Sequence, residues 1–248
     1  RRLSKMSNQN VSSWAVPLKG HLFDIEDLPL YLNESPVAVI KSAEKYWLIL
    51  SKGLAGETHD GVLEIAERYL TLINGAASLL IDGYRPIELE GGVFHGLDDD
   101  GEIAQVVVPA GTIEVRCKFG HVTISAGGEP RLDDRIGSMS RIINDATGSQ
   151  AKADALTILG RSSPSWSELY LAFELVKANV GSRMFTAKWI NQTDATLFTR
   201  TANSYTALGS SGRHGRDRGD PPTEPMEKQD ALVLVRSLVA SWFRDPWT

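Results

Sequence analysis

The sequence predicts an α+β protein, with a mixed strand and helix region over residues 14–128 and a helical region over residues 129–248. β-rich runs are concentrated before the pair Gly127-Gly128, and after it apolar residues recur at helical spacing instead. Hydrophobic residues make up 42% of the 248-residue chain and charged residues 23%, which is typical of a globular protein with a sizeable core. Strands followed by helices indicate α+β, packed as one unit or as two domains.

The first region begins with short elements. Trp14 to Leu32 mixes brief apolar pieces with proline and glycine, which suggests short strands and turns. The runs Val37–Ile40 and Tyr46–Leu50 are rich in β-branched and aromatic residues and flank a polar stretch, which predicts a hairpin. Residues Gly53 to Gly61 are expected to form a loop.

A long amphipathic helix follows, ending near Gly83. Its apolar residues fall at i, i+3, i+4 and i+7 spacing: Val62, Ile65, Ala66, Tyr69, Leu72, Ile73 and Ala76. A second set of strands is predicted at Ile87–Leu89, Val93–His95, Ile103–Val108, Ile113–Phe119 and Val122–Ser125. The acidic cluster Asp98–Gly101 lacks the spaced ligands and closing glutamate of a calcium loop, so we interpret it as a polar hairpin turn.

The helical region begins with two segments of helical periodicity, Leu132–Ile143 and Ala153–Leu159. Ser165 and Glu168 then have the spacing of a capping box, in which each side chain bonds the other residue's free backbone N–H. The helix that they open is predicted to end at Gly181.

Two more helices are predicted, one over Arg183–Gln192 and one from after Pro225 to about Arg244. Apolar residues cover most of the circumference of the last helix: Ala231, Leu232, Leu234, Val235, Leu238, Val239, Trp242 and Phe243. A helix that is apolar nearly all round is usually buried, so this one is expected at the centre of a bundle.

Composition restricts the classes of function. The net charge of −5 disfavours a surface that follows a nucleic acid over its whole extent, and leaves a local basic patch open. Cys117, the one cysteine, alternates with Val115 and Phe119 as a buried strand thiol would, and it permits neither an intrachain disulfide nor a cysteine-based zinc site. The histidines show no metal-ligand spacing, and no cofactor motif is present, so neither metal nor cofactor is expected.

The sequence also predicts a cytoplasmic protein without a membrane partner. No apolar run approaches the ~18 residues that a bilayer span needs. The basic residues at the start of the sequence are not followed by the apolar core of a signal peptide.

The candidate site is the segment 201–218, called here the loop 201–218. Arg213, His214, Arg216 and Arg218 lie among the glycines at positions 209, 212, 215 and 219. Guanidinium groups bind phosphate or carboxylate bidentately, and glycines let a backbone approach a ligand closely. His214 has the chemistry of an acid or base near neutral pH, and Thr201 and Asn203 are placed to orient a ligand.

Structural interpretations stand beside this one. Asp217, Asp220 and Glu224 balance the arginines, which is also typical of a solvated loop with internal salt bridges. His214 could equally cap a helix or bond between helices. Trp166, Tyr170 and Phe173 would suit base stacking, but their helical spacing favours a place in the core.

Part of the chain resembles a known family. The helix Trp166–Val180, the segment Thr201-Ala-Asn203, the loop Arg213-His214-Gly215 and the helix Ala231–Phe243 after Pro225-Met226 are similar to the helical HEPN-like domains of prokaryotic defence and toxin–antitoxin proteins. The resemblance covers about a third of the chain. It implies a role in prokaryotic defence, with RNA as a possible ligand.

The resemblance also bears on catalysis. Active HEPN ribonucleases carry an arginine and a histidine four to six residues apart, whereas Arg213 and His214 are adjacent. Arg116 and His121 have that spacing, but they fall in a predicted strand hairpin and are interpreted as coincidence. The departure favours a binding or assembly version of the family.

Three functional hypotheses follow. The first is a binding or assembly protein whose loop 201–218 contacts an anionic ligand, such as RNA or a nucleotide, or a protein partner. The second is a metal-independent ribonuclease in which His214 is the general acid or base and Arg213 stabilises the transition state. The third is a structural subunit that forms a homodimer through Trp242 and Trp247.

Overall fold

The computed structural model describes residues 11–33, 36–42, 44–55, 58–91, 93–108, 111–112, 137–217 and 219–246. The chain divides into two compact units, one from Arg1–Leu70 and Ile87–Ser140 and the other from Thr71–Pro86 and Arg141–Thr248. An antiparallel sheet dominates the first unit and helices the second, so the α+β class is confirmed. The boundary predicted at residue 128 lies outside the described residues.

The first unit is built on an antiparallel sheet whose main path runs β2-β3-β1-β5-β6-β7, with β4 paired to β1. Its strands are β1 (Ser13–Lys19), β2 (Val37–Ser42), β3 (Lys45–Ser51), β4 (Glu88–Leu89), β5 (Phe94–Leu97), β6 (Ile103–Val108) and β7 (Gly111–Thr112). The predicted hairpin is confirmed as β2–β3, in which Val37 faces Leu50 and Ser42 faces Lys45. β1 is central because it pairs with β3 on one side and with β4 and β5 on the other.

The core of this unit follows the alternation of the central strands. Trp14 and Val16 of β1 lie opposite Leu50 and Leu48 of β3, and all four side chains are at most 1% exposed. Since successive residues of a strand point to opposite faces, these four share one face and form the centre of the core.

Three short helices and the start of a long one complete the first unit: α1 (Leu22–Ile25), α2 (Leu28–Tyr31), α3 (Lys52–Ala55) and α4 (His59–Leu80). The prediction of a loop over Gly53–Gly61 was wrong, because α3 and the start of α4 occupy most of it. The Thr58 hydroxyl accepts a hydrogen bond from the backbone N–H of Gly61 at 3.2 Å, which satisfies a free donor in the first turn of α4.

The acidic cluster between β5 and β6 forms the predicted polar turn. The Asp98 carboxylate accepts hydrogen bonds from the backbone N–H groups of Asp100 at 3.0 Å and Glu102 at 2.9 Å, while Gly101 takes the left-handed conformation with φ 78°. The strands predicted at 113–119 and 122–125, with Cys117, Arg116 and His121, lie outside the described residues.

His95 on β5 makes the stability of the first unit depend on pH. It lies opposite Ala15 of β1, and its ring packs against that of Trp47 with the centroids 5.0 Å apart and the ring planes tilted by 33°. Burial, and next the charge of Lys45, lower the pKa of His95 below its ordinary value. The folded chain therefore holds this ring neutral under conditions in which the unfolded chain takes up a proton.

We expect the free energy of unfolding to decrease as the pH is lowered below about 6.5, because the unfolded state then binds more protons than the folded state. In His95→Gln this contribution should be absent, so the difference in unfolding free energy between pH 7.5 and pH 5.5 should be smaller than in the unaltered protein. Urea unfolding of both proteins at the two pH values measures it. Equal differences in the two proteins would contradict the assignment, since every carboxylate effect is common to both.

The second unit contains the C-terminal part of α4 and the following helices: α5 (Ser138–Thr147), α6 (Gln150–Leu159), α7 (Trp166–Val180), α8 (Arg183–Thr186), α9 (Gln192–Ala202), α10 (Tyr205–Leu208) and α11 (Lys228–Arg244), with a 3₁₀ turn at Gly209–Ser211. α7 packs against both α6 and α11. Its predicted capping box is confirmed: the backbone N–H of Ser165 donates to the Glu168 carboxylate at 2.6 Å, and the backbone N–H of Glu168 donates to the Ser165 hydroxyl at 3.2 Å.

The single helix predicted over Arg183–Gln192 was wrong. α8 ends after one turn, and Lys188 takes the left-handed conformation with φ 57°, which a continuous helix does not allow. Asn191 then caps α9, its side-chain oxygen accepting from the backbone N–H of Asp194 at 2.7 Å. The cap, which satisfies a helix donor, marks the true start of the helix.

The last helix has the predicted extent but not the predicted burial. Val235 and Leu238 are fully buried, whereas Val233 on the other side of α11 is 56% exposed. The apolar count around the helix did not show that one face lacks a neighbour. Trp242 is 1% exposed within the unit, so it is not available to a dimer interface, and Trp247 lies outside the described residues.

Candidate functional site

The first half of the loop 201–218 is helical rather than irregular. α9 continues to Ala202, and Ser204 caps the short helix α10, its hydroxyl accepting from the backbone N–H of Ala207 at 3.1 Å. The 3₁₀ turn follows at once, and the irregular part begins at Gly212. Arg218 lies outside the described residues.

Arg213 holds this irregular part against α7. Its guanidinium lies over the ring of Tyr170, 4.2 Å from the centroid, and its Nη2 is 3.6 Å from Oε2 of Glu174. Its backbone N–H donates to the carbonyl of Ala202 at 3.1 Å. A cation–π contact and an ion pair, both formed with α7, therefore fix this arginine.

Asp217 fastens the far end of the loop to the start of α10. Its carboxylate accepts hydrogen bonds from the hydroxyls of Thr206 at 2.6 Å and Ser204 at 2.7 Å, and from the backbone N–H of Thr206 at 3.0 Å. These bonds, first of all the one from the Thr206 hydroxyl, hold the pKa of Asp217 below its ordinary value. The carboxylate is therefore charged at neutral pH and is engaged within the loop.

Two residues at the end of α9 hold the chain that leads on to α11. The Arg200 guanidinium donates to the carbonyl of Asp220, with its shorter bond 2.9 Å, and to that of Pro221 at 3.2 Å. The hydroxyl of Thr201 accepts from the backbone N–H of Met226 at 3.0 Å. The segment from 201 to 226 is thus attached to its own unit at several points.

The predicted ligand-binding residues therefore differ in their surroundings. Thr201 is fully buried and bonded to Met226, and the Asn203 amide donates to the carbonyl of Thr199 at 2.8 Å. His214 is half-buried beside Arg213, while Arg216 is exposed and makes no hydrogen bond or ion pair with any residue that the structure describes.

The contacts show what the sequence reading missed. It assigned Tyr170 to the core, whereas Tyr170 also carries the guanidinium of Arg213. It counted Asp217 as a balancing charge, whereas Asp217 joins the two ends of the loop. No local pattern indicated this contact, because Asp217 lies 13 residues from Ser204 and 11 residues from Thr206.

Within the described ranges, no three histidine, cysteine, aspartate or glutamate residues come together as a metal site would require. In the same part of the chain, no helix combines the length and the hydropathy needed to cross a bilayer. No family model, no curated protein and no solved structure matches this chain.

Proposed function

We propose that this chain is a binding or assembly protein whose loop 201–218 recognises an anionic group, as carried by RNA or a nucleotide. The observation that carries the proposal is Arg216, an exposed cation without a described partner, located between two anchored residues. Arg213 is fixed on α7 and Asp217 on α10, so the intervening backbone is held before a ligand arrives. A group that is already ordered loses less conformational entropy on binding.

The glycine beside Arg216 supports the same proposal. A Cβ atom at Gly215 would meet nothing within 4 Å, so the backbone there is open on the side where a side chain would project. A phosphate can approach such a backbone closely while a guanidinium binds two of its oxygens.

The ribonuclease alternative would place a transition-state role on Arg213. That guanidinium is engaged by Tyr170 and Glu174 and would have to leave both to reach a reacting phosphate. This favours binding over cleavage. The alternative predicts metal-independent RNA cleavage that is lost in His214→Ala and retained in Arg216→Ala.

We expect Arg216→Ala to weaken binding of a labelled single-stranded RNA and to reduce the salt dependence of binding by about one counterion, with the unfolding free energy unchanged. Arg213→Ala should instead lower that free energy by about 0.5–1 kcal/mol through loss of the Tyr170 contact. Fluorescence anisotropy at two salt concentrations and urea unfolding measure both effects.

Two controls make the experiment selective. Arg216→Lys keeps the charge and should retain the salt dependence of binding. Lys177→Ala removes an exposed cation of α7 elsewhere in the unit, and it is the control for losing one positive charge outside the loop 201–218. If Arg216→Ala binds RNA and nucleoside triphosphate as the unaltered protein does, the anionic-ligand proposal is wrong. The protein-partner form of the hypothesis would then be the one to pursue.

A further inference from the structure

A groove on the second unit lies away from the loop 201–218. It runs between α11 and the segment 185–191, has a volume of about 680 Å³, and is lined by Phe185, Trp189, Ile190, Val233 and Leu234 among others. Trp189 also lines a second depression of about 290 Å³ at the end of α11, where Ser241 and Arg244 lie. Met226 is the sixth apolar or aromatic side chain of the groove, and its polar lining is Lys188, Asn191, Asp194, Asp230 and Ser237. An open groove that combines apolar and polar side chains in this way is typical of a surface that binds a partner.

One face of α11 borders both depressions. Asp230, Val233, Ser237, Ser241 and Arg244 follow one another three or four residues apart and therefore form a stripe along the helix, called here the α11 stripe. From Asp230 to Arg244 the stripe is about 21 Å long. Val233, at 56% exposure, is one of the large apolar side chains that the folded chain leaves exposed.

The stripe carries opposite charges at its two ends. Asp230 lies in the first turn of α11 and Arg244 in the last. Arg244 donates to the carbonyl of Ala240 in its own helix at 3.1 Å, and neither residue forms an ion pair with a residue that the structure describes. The helix dipole favours this placement of charges, but it gives no reason for an exposed valine and a partly apolar groove between them.

These charges are arranged symmetrically about one residue. Ser237 lies seven residues after Asp230 and seven before Arg244, which is two helical turns on each side. A two-fold axis at Ser237 would therefore set each Asp230 against the Arg244 of an antiparallel copy of the same helix. Self-complementarity of this kind is what a two-fold symmetric interface requires, because the same patch must meet itself.

We propose that the α11 stripe is the contact through which two copies of this chain form an antiparallel, two-fold symmetric dimer. Ser237 is small enough for the two helices to approach at the axis, and Val233 of each copy packs beside Ser241 of the other. Trp189, which borders both depressions, is covered at the flank of the second helix. The proposed dimer uses neither Arg216 nor its neighbours, so it is independent of the anionic-ligand site.

Charge reversal tests this pairing, with the dissociation constant measured by sedimentation equilibrium of the full chain. Because the interface is short, we expect self-association in the micromolar range, weakened by salt. Asp230→Arg and Arg244→Asp should each raise the dissociation constant at least tenfold, since each sets like charges against one another. The double variant, Asp230→Arg with Arg244→Asp, should have a dissociation constant within about threefold of that of the unaltered protein.

The double variant also separates pairing from local helix effects. Both reversals oppose the helix dipole, so a loss of helix stability alone would add up in the double variant, whereas pairing across the axis is restored there. A mixture of the two single variants should form heterodimers more tightly than either forms homodimers. Thermal unfolding followed by circular dichroism shows whether each variant remains folded.

Leu171→Glu is the matched control, because Leu171 is 49% exposed on α7 and lies off the stripe. It should leave the dissociation constant unchanged, while Val233→Glu should raise it at least tenfold. A protein that stays monomeric at several hundred micromolar, or single reversals without effect, would overturn the proposal. A dimer that forms equally well in all these variants would do the same, because its interface would lie elsewhere.

Discussion

Phe198→Ala is expected to lower the unfolding free energy of the second unit by about 3–5 kcal/mol, since it removes a large aromatic side chain from a closely packed site. Phe198 of α9 is fully buried. Its ring lies 5.4 Å from that of Phe173, 6.1 Å from that of Trp166 and 6.2 Å from that of Tyr170, measured between centroids. One side chain of α9 thus contacts three aromatic residues of α7.

The change should also reach the candidate site. Tyr170, which stacks with Phe198 at an interplanar angle of 19°, carries the guanidinium of Arg213. We therefore expect faster amide hydrogen exchange in the loop 201–218 of the variant, in addition to the lower unfolding free energy that urea unfolding measures. Leu197→Ala changes the half-buried neighbouring position, and it should lower the unfolding free energy by less than half as much as Phe198→Ala does. Equal losses at the two positions would contradict the proposed role of the aromatic cluster.

Gly75→Ala should destabilise the second unit although alanine is the better helix former. On propensity alone, alanine in α4 would gain about 0.8–1 kcal/mol. A Cβ atom at Gly75, however, would lie 2.4 Å from the carbonyl oxygen of Leu156 and 2.7 Å from its Cβ. Since the backbone of α6 cannot yield as a flexible side chain does, we expect a net loss of about 1–3 kcal/mol.

The test is whether Gly75→Ala lowers or raises the midpoint of urea unfolding. Gly160→Ala is a companion variant, because a Cβ there would lie 2.9 Å from the backbone nitrogen of Gly75 and 3.0 Å from the carbonyl oxygen of Thr71. Gly53→Ala is the matched control, since nothing lies within 4 Å of a Cβ at Gly53. A gain of stability in Gly75→Ala would contradict the close packing of α4 against α6.

Elements with strong local signals were predictable from the sequence. The β2–β3 hairpin, the turn at Asp98 and the capping box of α7 all formed where the pattern indicated. In each case the determining contacts join residues close together in the chain. The prediction of one helix over Arg183–Gln192 was wrong for a local reason as well, because Lys188 takes the left-handed conformation.

The candidate site was predictable only as a segment. The sequence placed the arginines and glycines of the loop 201–218 together, but it did not show which arginine is engaged. Arg213 and Tyr170 are 43 residues apart, and they meet because α7 and α9 pack through Phe198. Only that packing distinguishes Arg213, fixed on α7, from Arg216, exposed to solvent.

By itself, then, the sequence determined the α+β class, the β2–β3 hairpin, the long helices α4, α7 and α11, and the segment that carries the loop's cations. The tertiary structure decided that β1 is the centre of the sheet, that Thr201 is buried, and that α11 leaves one face exposed. The physical reason is the separation along the chain over which each kind of interaction acts. Caps, turns and periodicity act over a few residues, whereas strand order and side-chain burial depend on which distant segments exclude water together.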